Sequence, residues 1–214
     1  MSRRNSGIMF FILIGVLFLS VASVYAETAE EYYKSGNAYA RQGNFTKAIF
    51  DYTKAIEMDP NNADLYYNRG GAYRMQGNFT QAIPDFTKAI EINPSLAEAY
   101  FNRGIAYYDQ GNFAQAINDY NKAIEINPNY ADAYCNRGIV YTGKGDFAEA
   151  ISDFNKALEI NPNYAAAYYN RGVVYFGQKD FAKAWEDVHK AEELGHVVNP
   201  KFLVDLKKAS GREK

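Results

Sequence analysis

The stretch Ala99–Pro128, AYFNRGIAYYDQGNFAQAINDYNKAIEINP, returns 34 residues later as Ala133–Pro162, AYCNRGIVYTGKGDFAEAISDFNKALEINP. Outward from it the same phase holds five times, with glycine at Gly36, Gly70, Gly104, Gly138 and Gly172. Counting positions from Ala29, position 4 is Tyr32, Tyr66, Tyr100, Tyr134 and Tyr168, and position 11 is Tyr39, Tyr73, Tyr107, Tyr141 and Tyr175. Alanine holds position 20 from Ala48 to Ala184 and position 27 from Ala55 to Ala191. Position 32 is Pro60, Pro94, Pro128 and Pro162, then His196 in the last copy. A fixed period of this length marks an array of like supersecondary units. The units occupy 29–62, 63–96, 97–130, 131–164 and 165–198, within a body spanning 27–198.

Positions 4, 8 and 11 lie three or four apart and share one helical face; positions 20, 24 and 27 do the same on a second helix. Small residues at 8, 20 and 27 let the two backbones approach, and the tyrosines fill the flanks. The turns between, G-N-F from Gly43, Gly77 and Gly111, G-D-F from Gly145 and K-D-F from Lys179, suit a left-handed helix end followed by an Asn or Asp cap. Asn-Pro or Asp-Pro closes each of the first four units, because proline disfavours helix in the residue before it. One such hairpin cannot bury its own apolar face, so neighbouring units must stack. The surplus of 19 Tyr and 14 Phe is thereby assigned to the core rather than to a cofactor box.

The framework Y-x2-R-G-x2-Y…A-x3-[YF]…P resembles the W-x2-L-G-x2-Y…A-x3-F…P pattern of the tetratricopeptide repeat family. The resemblance implies an all-α, right-handed superhelical solenoid of five helix-turn-helix units, whose first helices line a concave groove. Two departures stand out. The fifth unit has Val188 in place of an aromatic and lacks the proline, and position 7, usually Leu, is Arg in four units and Ser35 in the first. Beyond the array, Asn199-Pro200 precedes Lys201–Ala209, with Phe202, Leu203 and Leu206 at helical spacing. This segment, 199–214, reads as a capping helix and a frayed tail. Pro84 falls inside the second helix of unit two, where it removes a bond to the Thr80 carbonyl and predicts a local distortion.

Position 7 (Arg69, Arg103, Arg137, Arg171) adjoins the packing face, and position 23 offers Asp51, Asp85, Asp119, Asp153 and Asp187. A half-buried arginine requires a partner. Because the first unit lacks the Arg, the register suggests pairing forward into the next unit: Asp51–Arg69, Asp85–Arg103, Asp119–Arg137 and Asp153–Arg171, with Asp187 facing Lys207 or Lys208.

Arg3 and Arg4, an apolar run from Ile8 to Leu19, and the small-residue finish S-V-A-S-V-Y-A compose a secretory signal peptide over 1–26, cleaved between Ala26 and Glu27. An exported, periplasmic or secreted protein is expected, attached to a membrane only if this segment is kept. The formal charge of −2 leaves no footprint for nucleic acid. One cysteine, Cys135, excludes an internal disulfide, and with only His189 and His196 no metal-ligand spacing exists. No nucleophile elbow, phosphate loop or nucleotide fingerprint occurs. No catalytic residue, metal, cofactor or small-molecule substrate is therefore expected.

In the resembling family the first helix of each unit presents positions 2, 5, 6, 9, 12 and 13 to the groove. Position 6 is Asn68, Asn102, Asn136 and Asn170, a ladder resembling the asparagine row with which some tetratricopeptide proteins hold extended backbones. An asparagine side chain offers two donors and an acceptor, matching any peptide unit. Tyr67, Phe101 and Tyr169 at position 5, with Tyr108 and Phe176 at position 12, supply aromatic anchors. The expected function is capture of a protein or peptide segment, as an adaptor or assembly factor of the cell envelope. The alternative is a self-associating structural protein or an accessory subunit of an envelope enzyme. Acids at position 2 (Glu30, Asp64, Glu98, Asp132) disfavour a clamp for a terminal carboxylate and point to a guest with some positive charge.

Overall fold

A computed structural model describes residues 28–211. The expected signal segment and its Ala26–Glu27 cleavage site lie outside the described residues. Eleven helices occur among these residues: α1 (Ala29–Arg41), α2 (Phe45–Met58), α3 (Ala63–Met75), α4 (Phe79–Ile92), α5 (Ala97–Asp109), α6 (Phe113–Ile126), α7 (Ala131–Lys144), α8 (Phe147–Ile160), α9 (Ala165–Gly177), α10 (Phe181–Glu193) and α11 (Pro200–Ser210). They pack as hairpins, α1 on α2 through α9 on α10, and each hairpin stacks on the next. The architecture is an all-α solenoid of five two-helix units with a terminal cap.

Local chemistry sets the helix ends. Thr28 and Glu31 form a reciprocal capping box at α1. Asn44, Asn78 and Asp180 accept from the backbone N–H three residues on. At each inter-helix turn the position-16 N–H donates to the position-11 carbonyl, from Asn44 to Tyr39 through Asp180 to Tyr175. This closure needs a left-handed residue at position 15. Gly43, Gly77, Gly111 and Gly145 supply it, and Lys179 adopts the same conformation with φ 64°.

Position 8 decides how closely the two helices approach. A Cβ built on Gly104 would lie 2.7 Å from the Tyr120 ring, and one on Gly36 equally near Tyr52. These position-24 rings, with Phe86 and Phe154, are at most 1% exposed, and all ten alanines of positions 20 and 27 are fully buried. In unit five Val188 replaces the ring, and Trp185, Val198 and Leu206 complete the core beneath the cap. Pro84 does not interrupt α4, which keeps the same register bounds as α2, α6 and α8. Its ring is exposed while Ala82, Asp85 and Phe86 anchor the opposite face.

The forward pairing of charges is corrected by the structure. Arg69, Arg103, Arg137 and Arg171 each grip the aspartate of their own unit, Asp85, Asp119, Asp153 and Asp187, through Nε and a terminal nitrogen at 2.6–2.8 Å. The reason is geometric. Position 8 lies against position 24, so positions 7 and 23, their neighbours, also face each other inside the hairpin. The remaining terminal nitrogen reaches back to position 25 of the preceding unit: Thr53, Thr87, Asn121 and Asn155. A position-4 tyrosine lies against every guanidinium and a position-11 tyrosine against three of the four, as Tyr100 and Tyr107 do for Arg103 at 5.7 and 6.0 Å. Asp51, in the unit where position 7 is Ser35 rather than Arg, is buried with Oδ2 unpartnered. Asp187 pairs with Arg171 rather than with the cap lysines, and burial still holds its carboxyl above the usual range.

Two helix-interior glycines therefore respond oppositely to alanine. Gly104→Ala, despite a helix-propensity gain, lowers stability by about 1–3 kcal/mol through overpacking. Gly71→Ala, with nothing within 4 Å of the added methyl, raises it by about 0.5–1 kcal/mol; urea unfolding midpoints read both. In the same assay Arg103→Met costs about 3 kcal/mol by stranding Asp119, whereas Ser35→Arg, by giving Asp51 its missing partner, stabilises by about 1–2 kcal/mol.

Candidate peptide-binding groove

First helices touch the first helices of neighbouring units, α1 with α3, α3 with α5, α5 with α7 and α7 with α9, while no comparable contact joins successive second helices. The stack therefore curves with the first helices on its inner side. Position 6 lies on this side, one asparagine per unit from the second onward.

The asparagines are tied into the seam between units. Asn68 Nδ2 donates to the Asp64 carbonyl at 2.7 Å and to the Tyr33 hydroxyl of the preceding unit at 3.3 Å. Asn102 repeats this with Glu98 at 2.9 Å and Tyr67 at 3.2 Å. Asn136, whose upstream neighbour is Phe101, keeps only the bond to the Asp132 carbonyl, and Asn170 opposes the rise that burial imposes on the Cys135 thiol. In Asn68 and Asn102 both amide hydrogens are thus engaged, and Oδ1 has no partner among the described residues. At these two rungs the ladder offers a guest acceptors rather than the donor-and-acceptor set expected from the residue type.

Position-5 aromatics are shared between core and groove. Tyr67 packs on Phe86 and Phe101 on Tyr120, with ring centroids about 6 Å apart. Burial, aided by Glu98, pushes the Tyr67 phenol above its ordinary range. Three of the expected anchors are covered by the chain itself. Tyr130 lies on Phe101 at 4.8 Å, and Phe202 of α11 packs edge-on to Tyr169 and Phe176. The cap occupies the place of a sixth first helix, so the open groove ends before unit five. Tyr108 remains exposed beside Phe113.

Tyr67, Asn68 and Asn102 meet in one concavity of about 200 Å³, joined by Gly71, Arg74 and Met75. Arg74 and Met75, at positions 12 and 13, were legible as groove positions, but a reading focused on aromatic anchors passes over them. Of the position-2 acids, Glu30 pairs with Lys34 at 3.2 Å and Asp132 accepts from the Tyr164 hydroxyl at 2.6 Å. Glu30 and Asp64 line a second dish of about 260 Å³ with Tyr33 and Asp59. Cys135 is buried, and desolvation pushes its thiol up to about 11. Among the described residues no group of three or more His, Cys, Asp or Glu could hold a metal ion.

No functionally curated protein matches the chain by sequence. Solved structures do. MamA is 32% identical, covering 74% of this chain and 93% of its own, with a TM-score of 0.69. YrrB, described as a tetratricopeptide repeat protein with an unusual peptide-binding site, is 26% identical over 89% of this chain and 97% of its own, also at 0.69. The first such domain of Spaghetti (RPAP3), bound to the HSP90 peptide SRMEEVD, is 31% identical over 55% of this chain and 94% of its own, at 0.54. Models of the TPR repeat match residues 36–77, 70–111 and 106–145, and tetratricopeptide repeat models match 131–164 and 154–186. With phase, hairpin packing and matches running along the same units, the chain belongs to the tetratricopeptide repeat family, a protein-interaction scaffold.

Proposed function

We propose that the protein is an adaptor or assembly factor of the cell envelope that holds an extended segment of a protein partner in its concave groove. The observation that carries this reading is the concavity at Tyr67, Asn68 and Asn102, where two asparagine Oδ1 atoms from successive units are left to accept. Packed helices lie about 8–10 Å apart and an extended chain advances about 3.3 Å per residue. One asparagine thus meets the guest at roughly every third residue and can take a backbone N–H whatever the side chains. The peptide-binding site of YrrB and the peptide held by the RPAP3 domain support this use of the fold. The envelope location rests on the amino-terminal pattern of Arg3, Arg4, the apolar run and the small residues ending at Ala26.

Affinity capture from the organism's own envelope extract tests both parts. Wild-type protein retains a specific partner, and the Asn102→Ala, Asn136→Ala double variant loses most of it while keeping its thermal midpoint within a few degrees. Mass spectrometry of the native protein finds Glu27 as its first residue. Undiminished capture by the variant contradicts the groove; an intact amino terminus in the cytosol contradicts the location.

A further inference from the structure

We infer that Arg74 is a carboxylate anchor of the groove, taking an acidic group of the guest chain where the second and third units meet. This rests on the groove reading and adds the chemistry of what the groove selects. Four arginines show how the fold treats a guanidinium it needs for stacking: Arg69, Arg103, Arg137 and Arg171 are each held bidentately by an aspartate. Arg74 is not. Its Nε is buried with no acceptor among the described residues, and its terminal nitrogen meets only the Met75 thioether at 3.9 Å, a weak acceptor. A buried donor left without a partner is costly, and position 12 elsewhere is Ala40, Tyr108, Thr142 and Phe176. Packing of the repeat therefore does not call for arginine here.

Arg74 stands in the last turn of α3, where the helix dipole favours a cation. The dipole is equally served by a fully exposed side chain, whereas Arg74 lies in the concavity with Tyr67, Asn68 and Asn102. Its charge is felt at the Tyr67 and Tyr120 phenols, where it opposes the rise that burial imposes. Asp109, which acts on Tyr120 as well, forms no ion pair with it. A guest carboxylate replaces the thioether at the guanidinium without breaking any internal hydrogen bond, while Asn68 and Asn102 receive neighbouring backbone N–H groups. Asp64 and Glu98, ten residues earlier on α3 and four before Asn102 on α5, place negative charge toward the other rim, about 15 Å from Arg74 along the helix. An acidic group is repelled there and attracted at Arg74, which orients the guest across the groove.

The probe is a library of short random peptides displayed on phage and selected on the full chain, in parallel with Arg74→Gln and Arg74→Lys. Selected peptides are resynthesised with each acidic residue changed to its amide, or with the carboxyl terminus amidated, and measured by fluorescence anisotropy. Wild-type protein enriches acidic peptides. Neutralising the critical carboxylate weakens wild-type binding roughly tenfold or more, the scale of a charge-assisted hydrogen bond, and leaves binding to Arg74→Gln unchanged. Arg74→Lys retains part of the preference, and all three proteins melt together. Loss on side-chain neutralisation identifies an Asp or Glu of the guest, and loss on amidation identifies its terminus. Peptides that bind wild-type and Arg74→Gln alike, without acidic enrichment, overturn the anchor and leave the groove standing; recovery of no binding peptide overturns both.

Discussion

Everything in this molecule follows from how near a glycine lets two helices come. At position 8 a side chain has no room, since its first carbon would enter the ring that position 24 carries on the facing helix. That approach buries the ring and the alanines around it, and it fixes the rotation of both helices. Once 8 faces 24, position 7 faces 23, and the arginine meets the aspartate of its own hairpin. The guanidinium then has one nitrogen left over, which ties the hairpin to the unit before it. A contact inside the unit thereby sets the bond between units, so a short module can propagate by nearest-neighbour contacts alone.

The departures from this rule gather at the ends of the array. Unit one lacks the arginine and leaves Asp51 buried without a counter-charge. Unit five holds Lys179 in a left-handed conformation that costs a side chain roughly 1–2 kcal/mol. It also replaces the ring with Val188 and fills the space with Trp185 and the cap. Among the described residues each terminal unit has one neighbouring two-helix unit rather than two, with the cap closing the far side of unit five.

Periodicity made the hairpins, turns and cap legible in the sequence, because each depends on spacing within about one turn of helix or on a residue of special conformation. Gly43 and its counterparts, Asn44, and the alanines of position 20 all act locally. The charge pairing was misjudged because two registers, forward and within the unit, satisfy the same list of residues. The missing arginine of unit one fits either register, and only the facing of 7 and 23 separates them. Pro84 was read from the cost of the bond it removes, whereas α4 is held by the packing of its opposite face. The aromatic anchors were overcounted for a related reason. Sequence register places Phe101, Tyr169 and Phe176 on the inner side, but which rings stay open depends on Tyr130 and Phe202, which arrive from other elements.

What remains on the inner side, where units two and three meet, is a pair of asparagines, Asn68 and Asn102, whose donors are engaged and whose acceptors are not, beside Arg74, a buried guanidinium without a carboxylate. Such a surface is incomplete in a directional way, and an extended chain supplies what it lacks. Amide chemical-shift mapping of the isotope-labelled protein with a bound peptide tests this most directly. The account predicts perturbations concentrated on α3, α5 and α7 around Asn68, Arg74, Asn102 and Asn136. Perturbations confined to the second helices α2, α4, α6 and α8, with the inner side silent, would contradict it.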